Sequence, residues 1–109
     1  GPNWARNFVD APLIVNSTGD EFLKQPIHYV LTHFSRFIRP GSKRIQSSTV
    51  NIDDKRVQHT AFVFDGQRIL YIINTLNVEK EIVIEESTGT SISLKLASKS
   101  ITTVTWKKQ

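Results

Sequence analysis

The chain contains no cysteine and no methionine, and it has only five glycines and four prolines in 109 residues. Without cysteine there is no disulfide framework, no thiolate nucleophile and no Cys-ligated zinc or iron–sulfur centre. The scarcity of Gly and Pro, with 39% apolar and 22% charged residues, excludes collagen-like and low-complexity chains. Long apolar runs are missing too. The longest, Ile69-Leu70-Tyr71-Ile72-Ile73, is about a quarter of the roughly 20 residues that span a bilayer as a helix. At this length the chain fits one small domain or part of a larger protein, and a large independent enzyme is excluded.

The net charge is +4, and the surplus sits early: residues 1–44 carry six basic and three acidic groups, residues 45–109 eight and seven. The character of the chain changes near Pro40-Gly41. Before it, Leu13-Ile14-Val15 is a short continuous apolar stretch of the kind found in strands buried on both faces, and Pro12 limits how far that strand extends. Asn16-Ser17-Thr18-Gly19-Asp20 is a loop by composition. Ile27, Val30, Leu31, Phe34, Phe37 and Ile38 then recur with helical spacing, which predicts a helix over 26–39 with Pro26 in its first turn and Phe34 on a buried stripe.

After Gly41 the apolar period falls to two. Strands are expected at Arg44–Val50, Gln58–Phe64, Arg68–Asn74, Glu81–Glu86, Ser91–Leu96 and Ile101–Trp106. Asp65-Gly66 marks a type I′ hairpin, because both central positions of that turn need positive φ. One strand and one broad-striped helix followed by six strands fit two architectures: an α+β sandwich, or a β/α unit of a parallel barrel followed by a sandwich.

Chemistry is sparse. The acidic pairs Asp20-Glu21, Asp53-Asp54 and Glu85-Glu86 are adjacent residues, which in a strand point to opposite faces and read as solvated charge. His28 and His33 are five apart on the helix, outside the i, i+4 spacing of two metal ligands, so no metal site and no cofactor is expected. Arg36, Arg39, Lys43 and Arg44 read either as a solvated basic helix end or as an anion-binding patch. Nothing singles out nucleic acid as a partner, because Phe34 and Phe37 belong to the apolar stripe and are not available for stacking. Asn16-Ser17-Thr18 satisfies the N-glycosylation triplet in a surface loop. Gly1–Phe8 is dense in amide, guanidinium and indole groups and reads either as an ordinary polar loop with a half-buried Trp or as groups that bind and stack on sugars.

The stretch Gly1-Pro2-Asn3-Trp4-Ala5-Arg6-Asn7-Phe8-Val9-Asp10-Ala11-Pro12-Leu13-Ile14-Val15, together with Lys24-Gln25-Pro26 and His33-Phe34-Ser35-Arg36-Phe37-Ile38-Arg39-Pro40-Gly41-Ser42, resembles the C-terminal part of glycoside hydrolase family 30, whose animal members are lysosomal glucosylceramidases. Ser100–Gln109 is similar to that family's closing S-I-x-T-x-x-W-basic-basic-Q pattern. The resemblance implies the last β/α unit of a (β/α)8 TIM barrel in residues 1–42 and the C-terminal portion of an all-β sandwich in 43–109. It also implies hydrolysis of glucosylceramide with retention, which needs two carboxyl groups about 5–5.5 Å apart. Both family glutamates lie upstream of this segment, so the resemblance gives it no catalytic residue. Asn7 matches a sugar-binding asparagine at the end of the last barrel strand, and Phe8 an aromatic at the pocket mouth. A lysosomal, membrane-associated setting with an anionic membrane surface and a saposin-type activator as partners is implied as well. The remaining reading is a free-standing, non-catalytic β-sandwich module that binds an anionic lipid or protein surface through the basic patch.

Overall fold

The computed structural model describes residues 3–6, 9, 11–52 and 55–107. The chain divides into two compact units, Gly1–Phe37 and Ile38–Gln109.

The first unit opens with a single 3-10 turn at Asn3–Ala5. Strand β1 (Leu13–Asn16) then pairs antiparallel with β2 (Glu21–Lys24), with Asn16 opposite Glu21 and Val15 opposite Phe22. Four residues connect them, and the Gly19 amide donates to the Asn16 carbonyl at 3.3 Å, a turn bond common in hairpin loops of this length. Asp20 takes φ of 50°, a left-handed conformation that Asp tolerates better than most residues. The Gln25 amide donates to the Pro12 carbonyl and prolongs the ladder by one bond.

This hairpin corrects the expectation of a strand at Leu13–Val15 buried on both faces. The stretch is exposed, with Val15 at 74%, and its partner β2 lies between the expected loop and helix, where no element was expected. Both faces of β1 are apolar, so the run has no alternation and looks like a strand enclosed in a parallel sheet.

Helix α1 spans Pro26–Phe37. Pro26 stands at the first position, where a missing N–H costs nothing, and Arg36 lies near the negative end of the dipole. It stops two residues short of the expected end. Arg39 precedes Pro40, whose ring disfavours helical backbone in the residue before it. Residues 39–42 instead form a turn closed by Ser42 N–H to the Arg39 carbonyl at 2.9 Å, with Gly41 at φ of 89°, the third position of a type II turn. No residue of α1 is buried, so Phe34, expected inside, is 38% exposed. Helical spacing identifies the apolar stripe but not what covers it.

The second unit is a sandwich. Strands β3 (Lys43–Ile45), β4 (Val57–Phe64), β5 (Gln67–Asn74) and β8 (Ser100–Lys107) form one antiparallel sheet in the order β3-β4-β5-β8, and β6 (Lys80–Glu85) pairs with β7 (Ser91–Leu96) in a second. Asp65 and Gly66 have φ of 47° and 72°, and Phe64 pairs with Gln67 across them, as a type I′ hairpin requires. Alternation places Val57, Ala61, Leu70 and Ile72 on the inner face of the larger sheet. They pack with Leu96, Ile82, Ile84 and Leu94 from the smaller one. Strand β7 has the expected bounds and burial pattern.

Strand β3 is shorter than the expected Arg44–Val50. Beyond Ile45 the residues Gln46, Ser47, Ser48 and Thr49 offer nothing apolar to bury, and Val50 is 77% exposed. Ser47 instead approaches His59 Nδ1 at 2.9 Å through its hydroxyl.

Two polar devices hold the sandwich. Asn74, 1% exposed, donates from Nδ2 to the carbonyls of Val78 (3.1 Å) and Ala97 (2.8 Å) and accepts at Oδ1 from the Leu76 amide (3.1 Å). Glu86, just after β6, accepts from Arg68 Nε at 2.9 Å on one oxygen and from Trp106 Nε1 at 3.2 Å on the other. Arg68 and Trp106 are cross-strand partners on β5 and β8, so one carboxylate staples the small sheet to two strands of the large one. Glu86→Gln replaces one acceptor with an NH2 facing a donor. The expected loss is about 1–2 kcal/mol, read as a lower urea midpoint, and an unchanged midpoint would show that the staple is redundant.

Candidate functional site

The sequence places its sugar-binding candidates, Asn7 and Phe8, immediately after the opening turn. Both lie outside the described residues. Just ahead of them, Trp4 is 88% exposed, and Arg6 adopts a left-handed backbone with φ of 52°. A broad indole face and a guanidinium are thus in water close to the candidates in sequence. These are the groups that stack on sugar rings and donate to sugar hydroxyls, the first by its apolar face and the second by its N–H fork.

Asn16 is described and sits at the end of β1. Its Oδ1 accepts from the Thr18 hydroxyl at 2.9 Å and from the Thr18 amide at 3.3 Å, and its Nδ2 donates to Glu21 Oε1 at 2.9 Å. An open cavity of about 390 Å³ beside it is lined by Leu13, Val15, Asn16, Asp20, Glu21 and Phe22. Asp20 and Glu21 therefore border one space, contrary to the expectation that the pair diverges, because Asp20 belongs to the turn and does not follow strand alternation. The Glu85-Glu86 pair does diverge: Glu85 is exposed, while Glu86 serves the staple. Asp53-Asp54 lies outside the described residues.

His28 makes an edge-to-face contact with Tyr29, with ring centroids 5.5 Å apart, and His59 is engaged by Ser47. Among the described residues no three His, Asp or Glu side chains are grouped to hold a metal ion. The basic residues do not form one cluster along β3. Lys43 and Arg44 are neighbours on the strand, paired with Val63 and Phe62, and so project to opposite faces. Burial pushes the Tyr71 phenol above its ordinary value of 10.0, so it stays protonated at physiological pH.

Sequence reasoning missed Glu21 as the partner of Asn16, since their contact depends on the hairpin register. It also missed Asn74, although a lone amide closing the run Leu70-Tyr71-Ile72-Ile73 is a signal for a buried polar group that needs several partners.

The sequence pattern of the glycosyl hydrolase family 30 TIM-barrel domain matches residues 1–38, and that of the family 30 β-sandwich domain matches residues 41–104. The chain belongs to glycosyl hydrolase family 30. It comprises the end of the family 30 TIM-barrel domain followed by β-sandwich. A Caenorhabditis elegans protein named "Putative glucosylceramidase 3" is 43% identical over 100% of the chain, and the mouse lysosomal acid glucosylceramidase is 34% identical over 100% of it. The chain spans 21% of the length of each. Among solved structures, SrfJ from Salmonella typhimurium matches 100% of the chain and 24% of its own, with a TM-score of 0.90 and 27% identity.

Proposed function

We propose that this family 30 chain is the C-terminal part of a retaining glucosylceramidase that hydrolyses glucosylceramide to glucose and ceramide. The observation that carries the reading is identity along the whole chain, 43% and 34%, to two proteins named as glucosylceramidases. In this reading residues 1–42 complete the barrel, with the β1–β2 hairpin ahead of the terminal helix, and residues 43–109 belong to the sandwich. The catalytic glutamates are upstream. Asn7 hydrogen-bonds the glucose, and Phe8 lines the mouth of the pocket, at the barrel end where such enzymes carry their active-site loops.

The same reading assigns the protein to the lysosome, on the lumenal face of a membrane whose anionic surface attracts a chain of net charge +4. A saposin-type activator is its protein partner. The exposed Trp4 and Arg6, close to Asn7 in sequence, support sugar contact at this end of the chain.

The test is Asn7→Ala in the full-length protein. Loss of one sugar hydrogen bond is expected to lower kcat/KM for a β-glucoside about tenfold with the thermal midpoint unchanged. Unaltered kcat/KM would remove Asn7 from the site.

A further inference from the structure

We infer that Asn16 carries an N-linked glycan, an inference that rests on the secretory, lysosomal setting of the proposed function. Asn16-Ser17-Thr18 is the only Asn-x-Ser/Thr triplet in the chain, with Ser and not Pro between. A triplet alone is common, and the geometry adds three things.

First, the triplet occupies the rim of an exposed hairpin. Ser17, Thr18, Gly19 and Asp20 are all exposed, and Asn16 is half-buried, so a bulky hydrophilic substituent leaves into solvent without displacing core. Second, the Thr18 hydroxyl and amide both bond Asn16 Oδ1. The oxygen is turned toward Thr18, and the nitrogen is turned toward Gly19 and Glu21. Third, Nδ2 has two hydrogens and one acceptor in Glu21 Oε1. Glycosylation consumes one hydrogen, so the other can keep the Glu21 bond and fix the orientation of the first sugar.

The reaction needs a lipid-linked oligosaccharide diphosphate as donor. The bond from the oligosaccharide C1 to the diphosphate oxygen breaks, a bond from C1 to Asn16 Nδ2 forms, one Nδ2 proton passes to a base, and the lipid diphosphate departs. The loop accommodates the amide through Gly19: a Cβ there would lie 2.6 Å from Nδ2.

The full-length protein expressed in animal cells provides the test, with lumenal location scored by protease protection of intact vesicles and occupancy at Asn16 by peptide mass spectrometry after glycosidase release. A lumenal protein occupied at Asn16 is expected, with occupancy lost in Asn16→Gln and Thr18→Ala and kept in Thr18→Ser. A lumenal protein bare at Asn16 overturns this inference and leaves the proposed function standing. A protein outside the lumen overturns both. Thr18 is exposed and Asn16 half-buried, so secretion of the Asn16→Gln variant at wild-type level serves as the folding control.

Discussion

The 109-residue chain alone is expected to release no aglycone from a fluorogenic β-glucoside, whereas the full-length protein turns it over. Glycosidic bonds are among the reactions for which enzymes supply rate factors of about 10⁶–10¹⁷, and a retaining enzyme needs two carboxylates facing across the scissile bond. In the proposed arrangement that pair lies upstream of this chain. Glu86 is spent on Arg68 and Trp106, Glu85 is exposed on the opposite side of its strand, and Glu21 is held by the Asn16 amide. In the full-length protein Glu21→Gln and Glu85→Gln should each leave kcat within about twofold, since neither touches the reacting atoms in the proposed arrangement. Turnover by the pure short chain, or collapse of kcat in either variant, would overturn the upstream placement of the catalytic pair.

Asn74→Ala is expected to destabilise the sandwich by roughly 2–4 kcal/mol, because it strands a buried Leu76 amide and deprives two carbonyls of a donor in one step. The Ala97 carbonyl retains Ser100 Oγ at 2.7 Å, which keeps the loss below the sum of three full penalties. Asn74→Asp separates the donor role from the acceptor role. It preserves an oxygen for Leu76 but aims a carboxylate at two carbonyls inside the core. That environment raises the new carboxyl above its ordinary value of about 3.9. The folded state then holds the proton to higher pH, so the protonated group's contribution is full below about pH 3.9 and is lost as pH rises through the raised value. Urea unfolding at acid and neutral pH checks both: an Asn74→Ala midpoint equal to wild type, or an Asn74→Asp variant indifferent to pH, would show that the buried contacts carry little.

What was legible in the sequence follows from which interactions are local. Strand β7 and the β4–β5 hairpin could be read because alternation and the Asp65-Gly66 turn are properties of the segment itself. Strand β2 could not, since Glu21-Phe22-Leu23-Lys24 is too short to show a period and acquires its identity only by pairing with β1. The α1 stripe was legible as a face, but its exposure was not, because periodicity reports a need for cover and not the cover. The candidate sites divide in the same way. The Asn16 triplet is contiguous and visible, whereas its Glu21 partner and the Asn74 clasp arise from groups brought together by register and turns.

That clasp has a consequence for motion. Asn74 links residues 76 and 78 to residue 97, and the Lys99 amide donates to the Leu76 carbonyl at 2.9 Å. Two turns distant in sequence are therefore tied at one end of the sandwich, and neither can open while the other stays closed. In native-state hydrogen exchange the Leu76 and Lys99 amides should exchange through a single opening event with a shared free energy, making this end of the sandwich one cooperative unit.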